Sequence, residues 1–177
     1  RAMPITSSKA DDFHDTEPKE RNRMSDLEAR IKNIEDRMAL EEVLQNYYAA
    51  VDTMSDLDGI VDCFTPDAVF DVVDLGLPRF VGHAEIREFF TGVFRDTLYH
   101  AHHVSNFRIK YIDGDKAAAR GYVIGKAEGK TGFKVLVYCH YDIEYARTAD
   151  GWKMTLFDEG ATVPVGDEGT ELPAHAA

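Results

Sequence analysis

His102-His103-Val104-Ser105-Asn106 is a polar cluster that opens a long strand pattern, and Asp52 stands upstream at the end of an amphipathic helical run. A carboxylate and an imidazole brought together in an apolar cup form an acid/base pair. The carboxylate orients the ring and makes it more basic, and the ring takes a proton from the substrate. On a helical wheel Asp52 lies at the margin of the Leu44, Tyr48 and Val51 stripe, near the helix C-terminus, where a carboxylate opposes the macrodipole. An imidazolium would compensate for that placement; the plainer reading of Asp52 is a solvated edge residue.

Two neighbouring histidines compete for the inward position. Strict alternation groups His102 with Val104, Asn106 and Arg108, and His103 with Phe107, Ile109 and Tyr111, so a regular strand would turn His103 toward an apolar core. Strongly bent sheets carry bulges that reset this parity. On a later strand His140 shares parity with Leu136, Tyr138 and Asp142, as a second pocket histidine or a hydrogen-bonded surface residue. His83 and His100 fall near loops and read as solvent-facing. Tyr48, Phe70, Phe90, Phe94 and Val123 are candidate pocket walls, with core packing as the alternative for each. Beyond His100-Ala101-His102 there is no HxH or HExxH pattern with a matching third ligand, so no metal is expected.

The elements that must position these residues follow from periodicity. Ser25-Asp26-Leu27-Glu28 is a capping box and predicts the start of a long helix. Leu27, Ile31, Ile34 and Met38 form one apolar stripe, and Leu40, Leu44, Tyr47, Tyr48 and Val51 continue on a shifted phase. The second stripe suits the domain's own core; the first suits either that core or a neighbouring subunit. A short helix through Leu57, Ile60, Val61 and Phe64 should end at Thr65-Pro66-Asp67, followed by strands over 68–73 and 79–81. A third helix follows Gly82, with Ile86, Phe89, Phe90, Val93 and Phe94 on one face. Turn signals at Asp113-Gly114-Asp115, Glu128 to Gly132 and Ala149-Asp150-Gly151 then mark out a four-stranded antiparallel meander over roughly 100–112, 116–127, 132–147 and 151–163.

The chain has 177 residues, room for one domain, and a formal net charge of −12, which disfavours nucleic acid or an anionic membrane as partner. Cys63 and Cys139 form no CxxC or Cys/His spacing and suit a reduced, cytoplasmic setting. Residues 1–23 read as a polar tail, either an upstream extension or an added remnant before Met24. Residues 24–163 read as the domain and 164–177 as a second tail.

The helix ending Tyr47-Tyr48-Ala49-Ala50-Val51-Asp52, the Phe64-Thr65-Pro66-Asp67-Ala68-Val69-Phe70 segment, Gly82-His83-Ala84-Glu85-Ile86, the His102 cluster and Asp150-Gly151-Trp152-Lys153 together resemble the SnoaL-like branch of the nuclear-transport-factor-2-like superfamily. The resemblance implies an α+β cone, three N-terminal helices packed into a strongly curved mixed or antiparallel sheet of about six strands, with an apolar pocket at its open end. The pattern is most similar to scytalone dehydratase, hexachlorocyclohexane dehydrochlorinase and bile-acid dehydratase. By that resemblance Asp52 and His102 form the catalytic dyad, and Tyr47 occupies the position of a functional tyrosine.

What the resemblance implies is a cofactor-free, dehydratase-like lyase acting on a hydrophobic ring-bearing molecule. An isomerase or polyketide cyclase would use the same pocket, and the competing class is a non-catalytic binding or assembly module. The extended first helix, and a sheet outer face carrying Phe107, Ile109, Val135 or Val137, predict a homo-oligomer, dimer or trimer.

Overall fold

The computed structural model describes residues 18–163, with side chains from residue 23 onward. The chain falls into two units that meet between Asp36 and Arg37. Helix α1 spans Pro18–Thr53 and runs through that boundary without a break. It therefore begins before the Ser25 capping box, and the tail boundary expected at residue 23 falls inside it. Pro18 suits the first turn, where its missing N–H would have had no partner in any case, and the residues that follow it are mostly good helix formers. Residues 1–17 and 164–177, expected as tails, lie outside the described residues.

In the first unit, α1 carries Met24, Leu27, Ile31 and Ile34, all exposed. Lys32 Nζ lies 3.0 Å from Asp36 Oδ2, a helical i,i+4 ion pair.

In the second unit the shifted stripe is buried: Leu40 and Val51 are fully enclosed, and Leu44, Tyr47 and Tyr48 nearly so. Helix α2, Leu57–Asp62, is capped by Asp56, whose Oδ1 accepts from the Gly59 N–H at 2.8 Å. Strand β1 follows at once, Phe64–Asp71. Thr65-Pro66-Asp67 thus lies inside a strand instead of closing a helix. Pro66 sits in a register break between Phe64 and Val69, where pairing with the neighbouring strand lapses and a missing N–H costs nothing.

After a 3-10 turn at Val73–Leu75 come β2, Arg79–Val81, and α3, Gly82–Asp96. Gly82 has φ +78°, and a Cβ there would meet the Pro66 carbonyl oxygen at 3.1 Å, so the turn into α3 needs glycine. The meander is β3, Thr97–Asp113; β4, Lys116–Gly129; β5, Lys134–Thr148; and β6, Gly151–Ala161. One six-stranded sheet results, in the order β2-β1-β6-β5-β4-β3. Only β1 and β6 run parallel among the paired strands, so the α+β class and the mixed sheet are as expected.

Register assigns the faces. Inward residues of β5, namely Tyr145, Ile143, Tyr141 and Cys139, pair with Ala117, Ala119, Gly121 and Val123 of β4. Large side chains on one strand thus lie beside small ones on the next. At the centre the Phe157 ring lies 4.4 Å from Tyr141, 5.0 Å from Tyr47 and 5.3 Å from Phe70. Trp152 is buried near the start of β6, with the Arg147 guanidinium 4.2 Å above its ring.

Phe107, Ile109 and Val137 pack against the core, so they are not outer-face residues, and Val135 shares Val137's face. The outer face exposes Tyr122, Ile124 and Tyr138 in their place. Among the described residues no helix is long and apolar enough to cross a membrane.

Candidate active site

Strand β3 settles the choice between the histidines through an irregularity. Pairing with β4 shifts between Ser105 and Arg108, and Asn106 adopts φ +54°, a left-handed conformation that asparagine tolerates better than most residues. Before the bulge His100, His102 and Val104 pair with Ala127, Gly125 and Val123 and share the inner face; after it, Ile109 pairs with Ala119. Both halves of the strand can therefore point apolar residues inward. His103 pairs with Ile124, is exposed, and lies on the outer face, so it is no pocket residue.

His102 meets Asp52 across the gap between β3 and α1. Its Nδ1 lies 2.7 Å from Asp52 Oδ1, and its backbone N–H donates to Asp52 Oδ2 at 3.0 Å. An ionised carboxylate can only accept, so the ring proton sits on Nδ1 and leaves Nε2 as the free base. Burial alone would raise the Asp52 carboxyl, but the hydrogen bonds from the ring and backbone of His102, with its charge, hold it below the ordinary range. The Asp52 side chain is 33% exposed and that of His102 is 9% exposed, so the base is shielded while its orienting partner touches solvent.

Two rings flank the imidazole. The Tyr48 ring lies 5.3 Å from it and stacks on Tyr141 at 5.8 Å. The His100 ring stands 4.5 Å away. This corrects the expectation of a solvent-facing His100: it belongs to β3 and shares the inner parity of His102. Burial, reinforced by the His102 charge, pushes His100 down to about 4, so it is neutral at physiological pH, and its Nδ1 is buried without a hydrogen-bond partner. The i,i+2 spacing of the two histidines was the signal for it in the sequence.

Glu159 was also missed. It pairs in register with Tyr141, so its half-buried side chain faces inward. Burial pushes its carboxyl up to about 7, against the influence of His102, Cys139 and Tyr141, which lowers it. Its signal was a charged residue on the same parity as Phe157 in an otherwise core-forming strand.

The remaining candidates divide by position. Tyr47 is buried, its ring 5.4 Å from Tyr48 and 6.1 Å from Phe90; burial raises its hydroxyl well above the ordinary value, so it stays protonated. Phe70 and Phe90 expose almost no surface and meet at 5.5 Å with tilted rings, so they pack the core and do not line an open wall. Phe94 is half-buried beside Phe90, and Val123 is enclosed opposite Val104. His140 lies on the outer face, 6.3 Å from the Tyr122 ring and over Gly160, and is not a pocket histidine.

A cavity of about 210 Å³ is lined by Leu44, Tyr48, Val104 and Phe107, with Tyr48 as the wall it shares with the dyad. A larger groove of about 580 Å³ runs along α1 past Asn46, Thr53, Asp62 and Trp152 and contains neither dyad residue. Donor atoms of Asp52, His100 and His102 lie within 4.8 Å of one another, the one such set of three found among the described residues. Both Asp52 oxygens already accept from His102, so a cation there would have to displace one of those bonds.

A family model for the SnoaL-like domain matches residues 32–158. No curated protein matches the chain. Among solved structures, a protein of Novosphingobium aromaticivorans described as a candidate aromatic ring hydroxylase is 47% identical, with a TM-score of 0.73 over 77% of this chain and 94% of that one. A candidate scytalone dehydratase of the same organism is 16% identical, with a TM-score of 0.67 over 82% of this chain and 97% of its own. A hexachlorocyclohexane dehydrochlorinase of Novosphingobium barchaimii is 18% identical, with a TM-score of 0.67 over 81% and 99%. The last two likenesses speak for the fold.

Proposed function

Because this chain belongs to the SnoaL-like family, we propose that it is a cofactor-independent, dehydratase-like lyase, in which His102 removes a proton from carbon and a leaving group departs. The observation that carries this reading is the fork by which Asp52 holds both the ring and the backbone of His102. The fork fixes one tautomer and one ring orientation, which is what a general base needs before substrate arrives. The aromatic lining formed by Tyr48 and Phe107 suits a flat hydrophobic ring, and the likeness to the structure described as a candidate aromatic ring hydroxylase supports that substrate class. A polar substituent of such a ring would satisfy the buried Nδ1 of His100, which has no hydrogen-bond partner.

A cytoplasmic setting and a homo-oligomer belong to the same reading. Two buried free cysteines support the first, and exposed Leu27, Ile31, Ile34 and Met38 on α1 support the second.

The test is a panel of steroid, aromatic and polyketide-like hydroxy compounds assayed for loss of water, with wild type, His102→Ala and Asp52→Asn. Elimination lost in the first variant and impaired in the second is expected. Turnover that survives both substitutions removes the dyad. Double-bond migration without water loss moves the protein to the isomerases, and tight binding without turnover moves it to the binding modules.

A further inference from the structure

A second carboxyl group stands inside the sheet, apart from the dyad. Glu159 lies two residues beyond Phe157 on β6 and opposite Tyr141 on β5. Tyr141 and Cys139, inner-face residues of β5, are each 1% exposed, and the Tyr141 ring stacks on Tyr48, whose ring lies 5.3 Å from that of His102. Its charge is also felt by Tyr47 and Tyr48 of α1. Among the groups that act on it, His102 of β3 is the first to offset its burial. A carboxyl group set among tyrosines and a thiol, with no lysine or arginine beside it, is costly to ionise and adds nothing to folding that a glutamine would not.

We propose that Glu159 is the acid of the reaction, giving its proton to the departing group while His102 Nε2 takes the proton from carbon. This rests on the lyase reading above. The electron pair of the C–H bond becomes the new π bond, and the C–O bond breaks with its pair on oxygen. That oxygen takes the Glu159 proton and leaves as water. A carboxylate and an imidazolium remain, and transfer of the proton from His102 to Glu159, directly or through the released water, restores both groups.

Burial supplies the protonation state this needs, since it pushes the carboxyl up to about 7, whereas Asp52 is held ionised. Below about pH 7 the two carboxyl groups thus have opposite states, an assignment made by their surroundings. Tyr47, Tyr48 and Tyr141 remain protonated at that pH, as does Cys139, whose thiol burial pushes up to about 12. None of them competes for the proton.

The test uses the full chain, with ring-bearing β-hydroxy ketones and their β-chloro counterparts as paired probes. Chloride leaves without a proton; hydroxide does not. Glu159→Gln, a near-isosteric change, should slow loss of water at least a hundredfold, leave loss of chloride within a few-fold of wild type, and remove the fall in rate above about pH 7. In the unliganded protein at pH 6, the infrared band of a protonated carboxyl group should disappear in the same variant. Equal effects on both leaving groups, no effect on either, or an unchanged carboxyl band overturns the acid role while leaving the His102 base intact. Loss of neither leaving group by wild type overturns the lyase reading itself.

Discussion

Asp52 and His102 are joined twice, ring to Oδ1 and backbone to Oδ2. The second bond ties the carboxylate to the strand itself, so the geometry of the first is set by where β3 passes α1. A carboxylate that held only the ring would let it swing; this one cannot move without breaking both contacts.

His102→Ala should lower turnover by about 10² to 10⁴, the range for a lost general base. Asp52→Asn should cost on the order of a thousandfold, because an amide can present its N–H to the ring and favour the wrong tautomer. Steady-state rates on any substrate found in the panel decide this, with circular dichroism to confirm that both variants fold.

The same pair has a signature in stability. Asp52 is held below its unfolded value, so its contribution is present above that value, near pH 4, and is lost as pH falls through the folded one. Urea titrations of wild type and Asp52→Asn should therefore converge toward acid, with wild type the more stable at neutral pH.

Glu159 should show the opposite sign. Its folded value of about 7 lies above the ordinary glutamate value of 4.5, so folding is unpenalised in acid and loses stability as pH rises between the two. The loss approaches about 3 kcal/mol above neutrality. Glu159→Gln should remove that slope and leave the variant more stable than wild type at pH 8; equal pH dependence in the two would refute the shift.

The bulge in β3 can be tested through its backbone. Asn106 has φ +54°, so Asn106→Gly should be tolerated, whereas Asn106→Val should destabilise by about 1 to 3 kcal/mol, since a β-branched side chain clashes there. Thermal denaturation of both variants separates the outcomes.

Phe157→Ala should cost about 3 to 5 kcal/mol, because the ring is fully buried against Tyr47, Phe70 and Tyr141 and its removal leaves a cavity. A midpoint shift in urea with unchanged slope is the expected readout.

The order of helices and the meander were legible because the meander strands are separated by Asp-Gly or Gly-rich turns and the helices carry apolar residues at helical spacing. What alternation could not place was any residue near a register break. Read as regular, β3 turns His103, Phe107 and Ile109 to the same side; in the structure Phe107 and Ile109 face inward with His102 because Asn106 intervenes, and only a backbone angle reveals it. Glu159 was hidden differently. A lone acidic residue in a strand is ordinarily solvated, and its neighbours Tyr141 and Cys139 come from β5, outside any local pattern. At the first helix a strong capping box was passed over, since the residues before it favour helix as well and nothing forces a stop.

The chain's single tryptophan, Trp152, is stacked under Arg147 at the start of β6, seven residues and so roughly 23 Å of extended strand from Glu159. Its emission will report on the end of the sheet where Arg147 and Lys153 lie and will be nearly blind to a ring bound beside Tyr48. Tyr48, by contrast, lies against the His102 ring and stacks on Tyr141. Excitation selective for tryptophan therefore follows unfolding without interference from ligand, whereas occupancy has to be read from quenching of tyrosine, so that one sample carries two optical channels, one for each of these two places in the domain.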